Sequence, residues 1–225
     1  EFRRVLFRSE TYMDFDLVLR SRHSVRVFSE KPVTRDILRK IVEDAGRAPS
    51  WVNAQEWHVY MATEKTLKNI RAEYMALAEK GDQGMADYGM PHREEWSKLA
   101  QEHMAGFHNL IAAEGVGQTM AGVEDMLFNA PAVAFITMPK GASRWAVLDL
   151  GGFTQTMQLS AFNKGLGSIA AYNLVKHPEV LRRYLDVPET DDIVVGVALG
   201  YESDDKLNQL HTVRELVDRV VTFKD

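Results

Sequence analysis

The chain contains no cysteine among its 225 residues, and this absence removes several kinds of chemistry. Disulfide frameworks, thiolate nucleophiles and thiolate metal ligands all require cysteine. A chain without cysteine fits a reducing compartment, and we predict a cytoplasmic location. Hydrophobic residues make up 45% of the chain and charged residues 26%. This composition is enough to build a core without covalent cross-links.

Other signals are missing as well. The net charge is −5 and there is no long basic run, so we expect no nucleic-acid partner. No apolar stretch approaches the length of a bilayer span, so we expect no membrane partner. The HExxH pattern of zinc proteases and the GxSxG pattern of serine hydrolases do not occur, and His103 and His108 stand five apart. We therefore expect no metal site and no protein nucleophile.

The N-terminal segment reads as foreign to the protein. Glu1–Ser9 can be back-translated into a common sequencing-library adapter read in frame. It carries arginines and some apolar residues but lacks the apolar region and the cleavage site of a signal peptide. We predict that residues 1–12 are a non-native leader and that Met13 is the natural start. Residues 13–225 then form a single domain.

Helical and extended patterns alternate through the rest of the chain. Predicted helices have apolar residues at helical spacing or suitable end residues, and they cover Asp14–Arg22, Thr34–Arg47, Glu64–Lys80, Trp145–Lys164 and Pro178–Tyr184. Predicted strands are alternating or continuous apolar runs, and they cover Trp57–Ala62, Ala132–Met138, Gly167–Ala171 and Ile193–Leu199. The sequence predicts an α+β fold in which long helices surround a small mixed sheet.

Two regions have weaker patterns. Residues 81–122 are rich in Met, His, Gly and charge, and we interpret them as a variable, partly helical lid. The tail, residues 206–225, has no strong period but contains Val213, Leu216, Val220 and Val221. It fits a C-terminal arm that buries these residues against a partner subunit. A tail that wraps its own subunit has the same pattern.

The first candidate binding constellation is the segment Arg22–Arg26. In extended backbone, alternate side chains point the same way, so Arg22, Ser24 and Arg26 present two guanidiniums and a hydroxyl on one face. Such a face suits a phosphate or a sulfate. Taken alone, an arginine-rich pentapeptide is more often a solvated turn.

A second constellation lies between a helix that breaks at Pro49 and a strand that starts at Trp57. Ser50, Asn53 and Gln55 can donate and accept hydrogen bonds there, as contacts to the edge of a heterocycle require. A turn that satisfies its own backbone explains the same residues equally well.

Two later features are modest by themselves. Residues 165–173 are mostly small, which allows a flat ligand to approach the backbone. Gly165 and Gly167 do not complete a dinucleotide fingerprint, and a helix end followed by a packed strand is the simpler interpretation. Arg214 alone reads as a surface charge.

Together and in this order, the constellations resemble the nitroreductase family. The resemblance extends from Asp14 to Phe223 and is weakest in residues 81–122. Two departures are visible: Glu56 stands where the family usually has proline, and residues 170–173 lack the glycine or acidic residue that is common there. The matching residues are Arg22, Ser24, Arg26 and Phe28, then Ala48–Trp57, Gly165–Gly167, Ala198–Tyr201, and finally Asn208, Leu210, Arg214 and Leu216.

The resemblance implies an FMN-dependent oxidoreductase with a nitroreductase-like fold. Such an enzyme transfers hydride from NADH or NADPH to a nitroaromatic, a quinone or a similar electron-poor acceptor in a ping-pong sequence. It is an intertwined homodimer with FMN at the subunit interface. The alternatives are a reductive dehalogenase or flavin-processing member of the same family, and a flavin-binding sensor without turnover.

The resemblance also implies roles for residues near the phosphate end of FMN. Arg22, Ser24 and Arg214 would hold the phosphate. Arg26 would approach the ribityl chain and the N1–O2 edge of the ring, where a cation stabilises the anionic reduced flavin. The chemistry itself belongs to FMN, so no catalytic side chain is predicted.

Around the flavin ring, the resemblance implies both side-chain and backbone contacts. Ser50, Asn53 and Gln55 would line the isoalloxazine and ribityl groups, while the backbone N–H groups of Tyr172 and Asn173 would reach N5 and O4. Trp51 and Phe107 are the expected substrate contacts. The complete expected cofactor-binding set is Arg22, His23, Ser24, Arg26, Pro49, Ser50, Asn53, Gln55, Ala170, Ala171, Tyr172, Asn173 and Arg214.

Overall fold

A computed structural model of the chain describes residues 13–224, and the leader predicted at residues 1–12 lies outside this part. The described helices are α1 (Phe15–Ser21), α2 (Arg35–Ala45), α3 (Glu64–Glu79), α4 (Lys98–Glu114), α5 (Gly117–Asp125), α6 (Arg144–Asn163), α7 (Pro178–Leu185) and α8 (Val217–Val220). The described strands are β1 (His58–Thr63), β2 (Ala132–Pro139), β3 (Gly167–Ala171) and β4 (Asp191–Gly200). Helices surround a small sheet, as the sequence predicts.

The four strands form one sheet in the order β1-β2-β4-β3. We expected a mixed sheet, but all three strand pairings are antiparallel. Within the described residues, parallel pairing is limited to an isolated bridge between Ser24 and Ser168. The central strands β2 and β4 are covered on both faces, which explains their near-continuous apolar sequences.

A separate hydrophobic core lies on each face of the sheet. Along β2, Val133 and Phe135 belong to one core, while Ala134 and Ile136 belong to the other. Successive side chains of a strand point to opposite faces, so one strand supplies both cores. Helices α2 and α6 pack together over the second core. Helix α6, which covers this face, therefore lies beneath two of the predicted site segments. These are the segment that follows α1 and the loop between α2 and β1.

Local capping determines where the first two helices begin. The side chain of Asp14 accepts hydrogen bonds from the backbone N–H groups of Asp16 and Leu17 at the start of α1. Thr34 caps α2 by accepting from the N–H of Ile37 at 3.4 Å, and it stands at the start of the helix that the sequence predicts over Thr34–Arg47. Because α1 ends at Ser21, the motif that follows lies outside regular helix.

The predicted lid and tail are each partly anchored. Before α4, Asp87 accepts two hydrogen bonds from Arg182, at 3.2 and 2.9 Å, and one from the N–H of Ile193 at 2.8 Å. The tail contributes Leu207 and Leu210 to the core of its own chain. The apolar residues of the tail that remain exposed are Val213, Leu216, Val217, Val220, Val221 and Phe223.

Across residues 13–224, none of the helices combines the length and the apolar character needed to cross a bilayer.

Candidate functional site

A groove with a volume of about 1270 Å³ lies among the end of α1, the second half of α6 and the tail. Among the described residues that line it, Glu202 is the only carboxylate, whereas several side chains are cationic. The groove is therefore electropositive. Its lining residues are Leu19, Arg20, Ser21, Arg22, His23, Ser24, Arg26, Gln155, Phe162, Glu202, Leu210, His211, Thr212 and Arg214.

The first motif forms one wall of this groove because its backbone runs beside β3. Ser24 bridges Ser168, and the N–H of Val25 donates to the carbonyl of Ser168 at 3.1 Å. Val25 points into the core, and a Cβ on Gly167 would lie only 2.5 Å from its side chain. This close approach requires glycine at position 167 and leaves Ser24 facing the groove.

Asn208 joins the tail to this motif. Its side-chain oxygen accepts from the N–H groups of Arg26 at 2.7 Å and Val27 at 3.1 Å. Its side-chain nitrogen donates to the carbonyls of Val27 at 2.8 Å and Ser203 at 2.9 Å. Asn208 is only 1% exposed, so these bonds satisfy a buried amide completely. The sequence matched Asn208 to a family motif but did not identify this positioning role.

Arg26 is held by backbone groups rather than by a carboxylate. It is 6% exposed, and its Nη1 donates to the carbonyls of Ser24 at 3.0 Å and Leu210 at 3.4 Å. Its guanidinium carbon lies 5.6 Å from the centre of the Phe107 ring. Burial lowers the pKa of Arg26, while the charge of Glu124 acts in the opposite direction. Phe107, predicted to contact substrate, thus neighbours a predicted cofactor ligand.

Arg22 and Arg214 are two like charges in the same groove. Burial lowers the pKa of Arg22, and the charge of Arg214 lowers it further. Within residues 13–224, neither arginine forms a salt bridge with a carboxylate. Glu202, the carboxylate of the groove, pairs instead with the Nε2 of His23 at 3.0 Å. An anion placed between the two guanidiniums would relieve their repulsion and form charge-assisted hydrogen bonds.

Beyond the bridge at Ser168, the end of β3 reaches the protein surface outside the groove. Ala170 is exposed, while Ala171, Tyr172 and Asn173 are partly exposed. The phenol oxygen of Tyr172 accepts from the N–H of Ala86 at 3.4 Å, so the predicted lid begins beside it. Residues 172–174 pack against α5, where burial raises the pKa of Glu124 and the side chain of Asn173 acts in the opposite direction. Neither Ala170 nor the three residues after it line the groove.

The loop between α2 and β1 has an unusual backbone conformation. Val52, Asn53 and Gln55 have φ values of 46°, 62° and 51°. The hydroxyl of Ser50 accepts from the N–H of Gln55 at 3.2 Å, so this hydroxyl forms a hydrogen bond within the loop. Residues with such φ angles store strain that recurs at ligand-binding sites.

This loop is anchored on the first half of α6, away from the groove. The N–H of Trp51 donates to Asp149 at 2.8 Å, and its ring lies 4.9 Å from that of Trp145. The groove instead contacts α6 at Gln155 and Phe162. At a rise of about 1.5 Å per residue, Asp149 lies about 9 Å from Gln155 and about 20 Å from Phe162 along the helix. The described chain therefore does not bring Pro49, Ser50, Asn53 and Gln55 to Arg22 and Arg214.

Comparison with known proteins identifies related chains. The model of the nitroreductase family matches residues 19–201. The chain is 29% identical over 220 residues to a 4-nitrobenzoate reductase of Nocardioides sp. (strain LMS-CY), which covers 93% of this chain and 89% of the relative. It is 28% identical over 196 residues to nitroreductase NfnB of Mycolicibacterium smegmatis, covering 83% of this chain and 82% of the relative.

Solved structures share the fold. The FMN-dependent nitroreductase NfnB from Mycobacterium smegmatis, in complex with NADPH, superposes with a TM-score of 0.85 at 24% identity, covering 93% of this chain and 97% of that one. The FMN- and NADPH-dependent NfnB from sphigopyxis sp. strain HMH also gives a TM-score of 0.85, at 22% identity, covering 95% and 100%. The family match includes the α1 and α6 sides of the groove and ends before its tail residues, and the chain belongs to the nitroreductase family.

Proposed function

We propose that the chain is an FMN-dependent oxidoreductase that uses NADPH or NADH to reduce nitroaromatic or similar electron-poor acceptors. The observation that carries this proposal is the pair of unneutralised guanidiniums of Arg22 and Arg214, in one groove with the hydroxyl of Ser24. A phosphate monoester brings close to two negative charges and three acceptor oxygens. Its charge and its acceptors match the donors of the groove.

The residues next to this anion position fit the rest of FMN. Arg26 lies farther along the same extended segment, and Phe107 provides an apolar surface beside it. When bound, FMN accepts an electron pair from a reduced nicotinamide and passes it to the acceptor. Because backbone carbonyls hold Arg26, its charge remains available to stabilise the negative charge of the reduced ring. Alternate use of one open ring face by donor and acceptor corresponds to ping-pong kinetics.

We further propose that the functional unit is a homodimer in which the loop of residues 49–55 acts on the groove of the partner subunit. Within one chain, the loop and the groove contact separate parts of α6, and this distance supports a site built from two subunits. Exposed apolar side chains at the loop and on α6 also support a subunit contact. These side chains are Trp51, Val52, Trp145 and Leu148.

FMN binding and turnover test the oxidoreductase. We expect the purified protein to be yellow with equimolar FMN, to bleach on anaerobic addition of NADPH or NADH, and to recolour with 4-nitrobenzoate, nitrobenzene or a quinone. Colourless protein that takes up no added FMN would overturn the proposal. Bound FMN that nicotinamides do not reduce would favour the flavin-binding sensor. A panel that also contains a haloaromatic and free flavin tests the dehalogenase and flavin-processing alternatives.

Mixed dimers test the shared site. Arg214→Ala damages the groove, and Asn53→Ala damages the loop. In a heterodimer of the two variants, one site combines both defects and the other combines an intact groove with an intact loop. We expect the mixture to regain up to half of the wild-type FMN binding after subunit exchange. No regain in a mixture shown to contain heterodimers would place loop and groove of the same subunit in one site.

A further inference from the structure

His23 and Glu202 form an ion pair inside the proposed phosphate groove. His23 follows the end of α1, and Glu202 follows β4, where its backbone bridges Phe28. The Nε2 of His23 lies 3.0 Å from Oε1 of Glu202, and its Nδ1 lies 3.0 Å from the carbonyl oxygen of Ser21. The two side chains are 20% and 36% exposed, so the pair is partly shielded from water. A site proposed to bind an anion therefore contains an acid that the proposed function does not explain.

The two contacts of His23 determine how many protons this pair holds. A carbonyl oxygen only accepts hydrogen bonds, so Nδ1 carries a proton. The contact between Nε2 and the carboxylate oxygen is a hydrogen bond only when a second proton lies between these two atoms. A neutral imidazole beside an ionised carboxylate has one proton too few to form both bonds. With both bonds formed the net charge of the pair is zero, and without the second proton the pair is negative.

The other charged groups of the groove lining are cations. The ring of His211 lies edge-on to that of His23, with ring centres 4.9 Å apart. Helix α6 contributes Gln155 and Phe162, which carry no charge. Among the described residues, loss of the second proton from the pair therefore introduces the only negative charge of the groove. Besides the pair, the charged and titratable side chains of the lining are Arg20, Arg22, Arg26, His211 and Arg214.

We propose that the pair of His23 and Glu202 sets the charge of the phosphate site, so that FMN binds tightly while the pair holds its second proton and less tightly once that proton is lost. This inference rests on the proposed FMN site. With the proton, His23 neutralises Glu202, and the guanidiniums of the groove remain available to the phosphate. Without it, the carboxylate repels a phosphate that carries close to two negative charges.

The direction of the pH effect distinguishes the pair from the ligand. Rising pH removes the proton of the pair and weakens FMN binding, because it adds a negative charge to the groove. Rising pH through about pH 6 ionises the phosphate itself, which adds charge to the ligand and strengthens its attraction to the guanidiniums. In the variant E202Q the second effect remains and the first is removed, so this variant provides the reference for the wild type.

The test measures the dissociation constants of FMN and of riboflavin, which lacks the phosphate, by flavin fluorescence from about pH 5.5 to about pH 9, a range that includes the ordinary titration of histidine. At the acid end, we expect wild type and E202Q to bind FMN equally. At the alkaline end, E202Q should bind FMN roughly 5- to 150-fold more tightly than wild type, the usual size of coupling between two binding events. Riboflavin should bind equally to both proteins throughout.

Two further variants separate the pair from its surroundings. H23Q leaves the carboxylate of Glu202 ionised without its partner, so FMN binding should be weak across the range, and the double variant H23Q/E202Q should regain the affinity of E202Q. Loss of a merely structural contact would not be repaired by removing a second side chain. The matched control is H211Q, which removes the adjacent imidazole and should lose affinity relative to E202Q at the alkaline end as the wild type does.

Several results would overturn the inference. One is a ratio of wild-type to E202Q affinity for FMN that does not change with pH. Another is a double variant H23Q/E202Q that binds FMN no more tightly than H23Q. Loss of the pH effect in H211Q would assign the titration to His211, and an equal effect on riboflavin would show that the pair does not act on the phosphate. Wild-type protein that binds no FMN at any pH would instead refute the proposed function.

Discussion

Arg214 lies close enough to Arg22 for its charge to lower the pKa of Arg22, although the two residues come from opposite ends of the chain. The tail meets the first motif because Asn208 is hydrogen-bonded to the backbone of Arg26 and Val27. Two like charges are thus held together by neutral hydrogen bonds. Their repulsion destabilises the folded chain, and an anionic ligand bound between them would relieve it.

Replacing Arg214 tests the anion site. We expect Arg214→Ala to weaken FMN binding by several-fold to a few hundredfold, because a charge-assisted hydrogen bond contributes roughly 1.5–3 kcal/mol. Flavin fluorescence titration at fixed salt gives the dissociation constant. The control is Arg219→Ala, which removes an arginine of α8 that pairs with Glu215. Equal affinities for wild type and Arg214→Ala would remove Arg214 from the site.

The exposed tail tests the dimer. Leu216 and Val220 are 71% and 68% exposed in the single chain, and an arm that packs on a partner would bury them. We expect the double substitution Leu216→Ser with Val220→Ser to shift the protein from dimer to monomer in sedimentation velocity, with Arg214 still present. Asp218→Asn, on the same short helix, should leave the dimer intact. A dimer of unchanged affinity in the double variant would show that the tail does not form the interface.

Asn208 should matter for stability as well as for the site. Substitution by alanine leaves the N–H groups of Arg26 and Val27 and the carbonyl of Ser203 without their partner, while the carbonyl of Val27 keeps its hydrogen bonds from Ser203. We expect a loss of about 3 kcal/mol in the free energy of unfolding, since each unsatisfied buried group costs roughly 1–3 kcal/mol and water recovers part of this. Urea denaturation measures it. Asn109→Ala, on an exposed position of α4, should change stability by less than about 0.5 kcal/mol.

The buried ring of His177 predicts acid sensitivity. His177 is 1% exposed and lies edge-on to Tyr74, with ring centres 4.9 Å apart. Burial lowers its pKa below the ordinary 6.5, although Glu179 opposes the change. The unfolded chain therefore binds this proton at higher pH than the folded chain. The resulting stability is present above pH 6.5 and is lost as pH falls from there towards the folded-state pKa.

Urea midpoints measured across this pH range provide the check. We expect the wild-type midpoint to fall more steeply with decreasing pH than that of His177→Gln. The variant should have a lower midpoint that depends less on pH. His92→Gln, at an exposed loop position, should follow the wild-type slope. Parallel curves for wild type and His177→Gln would show that His177 titrates alike in the folded and unfolded chains.

Local features of the chain could be predicted from the sequence because their causes are local. Thr34 caps its helix through a contact three residues away. The apolar run of β2 reflects burial of the strand on both faces. The order of the motifs was enough to identify the family. None of these inferences required knowledge of which distant segments meet.

The arrangement of the site was decided by tertiary structure. Helix α6 separates the loop at Ser50 from the groove at Arg22, a distance that no local pattern contains. The antiparallel strand order depends on long-range hydrogen bonding, which strand periodicity does not specify. Asn208 and Glu124 likewise have neighbours that are remote in sequence, which no local pattern identifies. Side-chain periodicity identifies which residues are buried, and only the folded chain determines which of them are buried together.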